Sequence, residues 1–373
     1  MSKHLHIVCF DIPYPPDYGG VAEVFFKIKS LAEAGIKIHL HCFKYGRTEQ
    51  PELKKYCFEV CYYQRNQGHK GISFNLPYIV SSRANEKLLE NLLKDDYPIL
   101  MEGIQSTYFI DNHKLENRKI VVRLHNVEFE YYKQLAKQTK SIIKKTYYLI
   151  ESLLLKNYER KIANKALFLG LTEKDVATYK TALKASSIFY LPPFIGWKFP
   201  LCQEGIGSFC LYHGNLSVAE NERAAFWLLE NVFNDIEIPF VIAGKNPSDE
   251  LINAAHKKTH TCLVANPSEK EMHDLIQKAQ INVLPSFSTS GIKFKYLYSI
   301  FCGRHCVINE NMQSGTFLGT ATHIGNNADA FKSIIFQLFN KPFGIEEIEL
   351  REQLMHKHYN NKKTAEQLIN FLY

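Results

Sequence analysis

Short apolar runs alternate with helix-period segments along nearly the whole chain, and that alternation restricts the fold to parallel sheets covered by helices. His4–Phe10 is followed by a helical Val21–Ala34 and then Ile36–Phe43, and Pro98–Met101, Ile120–Leu124 and Ala166–Leu169 continue the strand series. Leu191-Pro192-Pro193-Phe194-Ile195-Gly196-Trp197 interrupts the pattern with prolines and a glycine. It restarts with strand Phe209–Tyr212, helix Glu220–Phe233, strands Phe240–Ala243 and Ile281–Leu284, helix Gly291–Phe301 and strand His305–Ile308. A chain of 373 residues is longer than one hydrophobic core usually supports. The reading is α/β, with two doubly wound Rossmann-like domains whose ligand loops face each other across a cleft. Residues 1–190 form the first domain, 191–208 a linker and 209–355 the second domain, while 356–373 read as a C-terminal helix that can pack back on the first domain.

Composition narrows the class. Apolar residues at 46% and charged residues at 22% are globular values, and no run approaches the length of a membrane span. Leu5 to Phe10 is too short for a signal-peptide core, which places the expected protein in the cytoplasm. Nine cysteines include the pairs Cys57/Cys61 and Cys302/Cys306, but neither spacing is Cys-x-x-Cys, so reduced thiols and no metal are expected.

The net charge of +7 is concentrated in one place. Between Tyr131 and Lys165, Lys133, Lys137, Lys140, Lys144, Lys145, Lys156, Arg160, Lys161 and Lys165 face only Glu151 and Glu159. Elsewhere basic and acidic residues balance at 36 each. Ile143, Tyr147, Ile150, Leu154, Tyr158 and Ile162 recur at helical spacing, and Lys133, Lys137, Lys140 and Lys144 form a second stripe. The segment reads as an amphipathic helix with one basic face, either simply solvated or laid on an anionic membrane surface. No nucleic-acid motif accompanies it.

Glycines gather where strands end. Gly19-Gly20 opens the first helix after a stiff Pro13–Asp17 loop, Gly214-Asn215 follows the second domain's first strand, and Gly244-Lys245 follows a later one. The most telling exit is Ser290-Gly291-Ile292-Lys293-Phe294-Lys295, expected to open a helix with a glycine and two lysines. Unpaired N–H groups, a positive dipole end and two full charges suit a diphosphate. His125, just past the Ile120–Leu124 strand, is expected at a carboxyl strand end.

These segments together resemble GT-B glycosyltransferases, and among them family 4 of the sequence-based classification. The resemblance rests on Pro15-Pro16-x-x-Gly19-Gly20, the helix ending Leu31-Ala32-Glu33-Ala34-Gly35, Arg123-Leu124-His125-Asn126-Val127-Glu128, Gly214 with Glu220-Asn221, Ala243-Gly244-Lys245-Asn246-Pro247, and the turn ending in Lys295. Leu76-Pro77-Tyr78, Ser82-Arg83 and Glu102-Gly103 are similar to bacterial surface-polysaccharide enzymes. The resemblance implies transfer of a sugar from a UDP or GDP type donor to a glycan acceptor, lipid-linked or protein-borne, with retention and without a further cofactor. No metal is expected, because the chain lacks an Asp-x-Asp motif and Lys293 and Lys295 can supply the charge. It assigns His125, Lys293 and Lys295 to the chemistry, and Gly19, Gly20, Gly214, Asn215, Gly244, Lys245, Ser290, Gly291, Ile292 and Tyr298 to the donor. The family often sets two glutamates at positions that are here Ser290 and Tyr298, eight apart. A non-catalytic nucleotide-sugar binder and a nucleotide-sugar epimerase share this architecture and stay open, whereas an NAD enzyme would need a Gly-x-Gly-x-x-Gly turn that the chain lacks.

Overall fold

A computed structural model describes residues 2–17, 19–139, 141–289 and 291–373. Two compact units emerge: Met1–Gly196 with Ser290–Ile292 and Tyr359–Tyr373, and Trp197–Thr289 with Lys293–His358. Among the described residues the first unit holds a seven-stranded parallel sheet. Its strands are β1 (His4–Cys9), β2 (Lys37–Lys44), β3 (Glu59–Gln64), β4 (Ile99–Glu102), β5 (Ile120–Arg123), β6 (Leu167–Gly170) and β7 (Ile188–Tyr190). They lie in the order β3-β2-β1-β4-β5-β6-β7. The second unit's six parallel strands are β8 (Cys210–Asn215), β9 (Phe240–Lys245), β10 (Thr261–Ala265), β11 (Ile281–Leu284), β12 (His305–Ile308) and β13 (His323–Ile324), ordered β10-β9-β8-β11-β12-β13. Both are Rossmann-like.

Period-two alternation explains how the first sheet is buried on both faces. Val8, Met101, Val122 and Phe168 point into one apolar cluster, and their neighbours Ile7, Leu100, Val121 and Leu169 into the other. Helix Gly19–Glu33 covers the second face with Val24, Phe25, Ile28 and Leu31, beside Ala365, Leu368 and Leu372 of helix Asn361–Leu372. Leu191 and Phe194 are buried in the same cluster, and Asn361 brackets the chain by accepting from Ile195 N at 3.0 Å and donating to Ile195 O at 2.7 Å. All nine cysteines are free thiols. No helix among the described residues is long and apolar enough to cross a membrane.

Two helix expectations need correction. The helix after Gly291 begins at Phe294, with Lys293 as its N-cap, because Gly291 sits at φ +61°, outside helical geometry. The basic segment is two helices, Glu128–Gln138 and Ile142–Ile162, since Thr139 is extended and Ser141 caps the second helix by accepting from Lys144 N. Lys133 and Lys137 therefore sit on one helix and Lys144 on another, while Lys140 lies outside the described residues.

The β1–β2 register stacks histidines across the strands. His6 pairs with His39, His6 Nδ1 lies 2.8 Å from His41 Nε2, and His41 Nδ1 lies 2.7 Å from the Tyr63 hydroxyl. His6 Nε2 also meets Asp95 at 2.9 Å. Burial pulls both rings down, His41 well below the ordinary value, reinforced there by His6, His39 and Lys94. For His6, Asp95 opposes the fall while His39 and Arg118 add to it. The unfolded chain therefore takes up protons first as pH falls through about 6.5, and this contribution to stability is full above that value and shrinks below it. Two buried carboxyls act in the opposite sense, Glu128 pushed up to about 7 and Glu159 to about 8 by burial. The histidine share is isolated by difference: His41→Gln should lose less melting temperature than wild type between about pH 7.5 and 5.5. Equal losses would show that the histidines do not govern acid lability.

Candidate active site

In the first unit the site is built where β4 and β5 end. Glu102 and Arg123 close those strands in register, and Glu23 and Lys27 stand four apart on one face of helix Gly19–Glu33. All four are 0% exposed. Lys27 Nζ donates to Glu23 Oε2 at 2.8 Å and to both Glu102 oxygens at 2.6 and 2.8 Å. Arg123 donates to Glu23 Oε1 at 3.1 and 2.9 Å, and to the carbonyls of Gly170, Leu191 and Pro192. Burial alone would raise the Glu23 carboxyl, but the Lys27 and Arg123 charges overcome it and hold the group at about 2.

His125 lies against this network, 2.9 Å through Nε2 from Glu102 Oε2 and edge-on to Phe10. A carboxylate can only accept, so Nε2 carries the hydrogen and a neutral ring keeps its lone pair on Nδ1. Glu23, Glu102 and His125 each offer a ligand atom within 4.8 Å of the others, a spacing that suits a cation. The Lys27 ammonium already bonds both carboxylates, so these residues do not fit an additional metal ion.

The neighbouring Pro13–Asp17 loop is pinned by Arg47, which donates to Pro15 O at 2.8 Å and pairs with Asp11 and Asp17. Gly291 also belongs to this unit. A Cβ there would come within 2.3 Å of Asn126 Oδ1 and 3.3 Å of His125 O, and its φ already favours glycine.

The second unit's site sits at the end of β8. Lys295, in the first turn of helix Phe294–Cys302, donates to Asn221 Oδ1 at 2.8 Å and to the Tyr212 hydroxyl at 3.3 Å, and Nζ lies over the Tyr212 ring. Asn221 donates from Nδ2 to Asn215 O at 2.9 Å, so Lys295 and the β8 exit are joined through one amide. Burial draws the Lys295 ammonium down to about 8, with Glu220 opposing and Lys293 adding to the fall. His213, buried beside Ser299 at 2.8 Å, is held down to about 3 by burial and by Lys295. Gly214 pairs with Gly244 across β8 and β9, where a Cβ on Gly244 would lie 1.9 Å from Gly214 O, so only glycine fits.

Of the residues singled out from sequence, Lys295, Gly214 and Asn215 come together through Asn221, with Gly244 and Lys245 on the adjacent strand. Gly19 and Gly20 open the first helix, as read from sequence. Tyr298 sets its hydroxyl 3.1 Å from His273, with its ring 5.1 Å from Trp197 and edge-on to His213. Ser290 lies outside the described residues. Sequence reasoning missed Glu23, Lys27, Tyr212 and Asn221 as site residues. Glu23 and Lys27 do carry a signal, a charged i,i+4 pair inside the apolar run Val21–Leu31.

Residues 207–340 match the family model described as Glycosyl transferases group 1. The whole chain is similar to S. aureus TarM, crystallised as a point mutant with fondaparinux, alpha-GlcNAc-glycerol and UDP, at 11% identity, 99% coverage of both chains and a TM-score of 0.71. It is also similar to WaaG, a glycosyltransferase involved in lipopolysaccharide biosynthesis, at 11% identity, 98% and 99% coverage and a TM-score of 0.67. A curated relative, an uncharacterized 44.6 kDa protein in the cps region of Klebsiella pneumoniae, is 27% identical over 96% of each chain. The fold is GT-B, and the chain carries a group 1 glycosyltransferase domain in its second unit. In class that domain is a glycosyltransferase's, and the Klebsiella relative is named for its place in a cps region.

Proposed function

We propose that the protein transfers a sugar from a nucleotide-diphosphate donor, of UDP or GDP type, to a saccharide acceptor that is lipid-linked or protein-borne. The observation that carries this reading is the half-buried Lys295 tied to Asn221 and Tyr212 at the end of β8, in the helix turn that Lys293 caps. Breaking the donor's glycosidic bond leaves charge on the departing diphosphate. Fixed cations and a helix N-terminus stabilise that charge more as it develops than before it forms. The UDP bound to TarM supports a UDP donor by analogy.

In the first unit, Glu102 holds the His125 ring through Nε2, which leaves Nδ1 as the atom able to accept from a sugar or acceptor hydroxyl. Retention, by front-side attack assisted by the leaving phosphate, follows the family resemblance. Metal is unnecessary in this reading because lysines carry the charge. A cytoplasmic enzyme acting on a lipid-linked acceptor meets it at the inner face of the membrane, so peripheral membrane contact belongs to the same proposal.

The test is a panel of UDP- and GDP-sugars with and without a glycan acceptor, read as free nucleotide and as sugar transferred, each repeated in excess EDTA. Acceptor-dependent transfer that survives EDTA is the expected result. His125→Ala should then lower turnover while nucleotide affinity stays nearly intact. Binding without release of nucleotide would establish a non-catalytic protein, and turnover of the donor to an isomer would establish an epimerase. Rescue of an EDTA-inhibited reaction by Mg²⁺ or Mn²⁺ would overturn metal independence.

A further inference from the structure

Helix Ile142–Ile162 is anchored by only one half. From Leu155 onward it buries Leu155, Tyr158 and Ile162, but residues 141–147 are all exposed. Ile142 is 80% and Ile143 83% exposed, and Leu149, Ile150 and Leu153 also face solvent. An amphipathic helix packed on a domain would bury this stripe. The helix's two carboxylates, Glu151 and Glu159, are the ones buried, so every exposed charge on it is positive: Lys144, Lys145, Lys156, Arg160 and Lys161.

A second apolar segment joins the projecting turns. Glu151 accepts from Tyr78 N at 2.9 Å and so ties the helix to the end of the loop carrying Ile72 and Phe74, whose side chains are exposed, Phe74 at 95%. Tyr148 adjoins Tyr147 and also Tyr132 of the preceding helix, which adds exposed Lys133 and Lys137. Protruding aliphatics, a loop-borne phenylalanine, tyrosines beside them and lysines with no exposed acid on the long helix match the layering of a bilayer surface: acyl chains, interface and phosphates. A second copy would bring like charge against like charge. An anionic leaflet is complementary.

We infer that the projecting turns of helix Ile142–Ile162 and the Ile72–Leu76 loop insert into the headgroup boundary of an anionic bilayer, with Ile142, Ile143 and Phe74 reaching the acyl chains. This rests on the peripheral membrane contact proposed above and alters its character. A purely electrostatic contact dissolves in salt, whereas inserted side chains leave a salt-resistant remainder.

The experiment is co-sedimentation of the full chain with vesicles of phosphatidylcholine alone or with about 30% phosphatidylglycerol, at low salt and at about 0.5 M salt. Wild type should bind the anionic vesicles at low salt and keep a measurable fraction at high salt. An Ile142→Ser/Ile143→Ser/Phe74→Ser variant should bind about 100-fold more weakly, with unchanged melting temperature and unchanged nucleotide release, since all three side chains are already in water. Lys144→Gln/Lys145→Gln should lose mainly the salt-sensitive part. Equal binding by the serine variant would overturn the inference. So would a wild type that ignores vesicles and self-associates through this face, seen by light scattering and abolished in the variant. Failure of sugar transfer with vesicle binding intact would count against the proposed reaction alone.

Discussion

Lys295→Ala is expected to lower kcat/KM for the donor by about 10- to 150-fold, the loss of one charge-assisted contact to a developing diphosphate charge. Lys293→Ala should fall in the same range, because Lys293 is the N-cap of the same helix, where the positive end of its dipole lies. Lys295 is different: its ammonium also donates to Asn221 and Tyr212, so Lys295→Met, which keeps most of the stem, is the better probe of charge alone. A wild-type signature accompanies the loss. With its ammonium drawn down to about 8, Lys295 is charged below that pH and neutral above it, so turnover should decline as pH rises through about 8 at low donor concentration. Activity within twofold of wild type in both alanine variants, with a flat profile to about pH 9, would remove the lysines from the mechanism.

Lys27→Met should destabilise the folded protein by about 3–5 kcal/mol, because it removes the cation that bonds Glu102 and leaves two buried carboxylates with only Arg123 and His125 as partners among the described residues. Urea unfolding measures it as a shift in midpoint at unchanged slope. Adding Glu102→Gln to Lys27→Met should recover part of the loss, since the amide removes one stranded charge. The wild-type network also fixes a pH window. Glu23 is held at about 2, below its unfolded value, so its contribution is complete above about 4.5 and is lost as pH falls toward 2. A loss under about 1 kcal/mol in Lys27→Met would mean that water reaches the carboxylates after all.

The nine strands legible in the sequence are those with a neighbour on each side, and the four it did not reveal, β3, β7, β10 and β13, are the edges of the two sheets. The physics is direct. An inner strand buried on both faces is a continuous apolar run, as in Ile281–Leu284, while β3 reads Glu-Val-Cys-Tyr-Tyr-Gln and β10 leaves all its residues at least partly exposed. The glycine and lysine turn at Gly291–Lys295 was legible by composition, yet the start of its helix was not, because Gly291 takes a left-handed conformation that no side-chain pattern announces. Lys295 was found as a charge in a polar turn and proved to be half-buried, its setting supplied by Tyr212 and Asn221 from other elements. The end of one helix at Gln138 and the start of the next at Ile142 were hidden for the opposite reason, since the periodicity on the two sides happens to continue in phase.

Helix Asn361–Leu372 completes the first unit's core although it is synthesised after the entire second unit. Ala365, Leu368 and Leu372 share a cluster with Val24, Ile28 and Leu31, and the Tyr373 hydroxyl reaches His4 O at 2.5 Å. During translation the surface awaiting that helix stays uncovered while roughly half the chain emerges, an apolar face open to chaperones and to mispairing with other nascent chains. Expression of residues 1–196 alone would make that transient state permanent. A piece comprising the first unit must therefore carry residues 359–373 on a linker, and a fusion placed beyond Tyr373 presses on the same seam that closes the sheet.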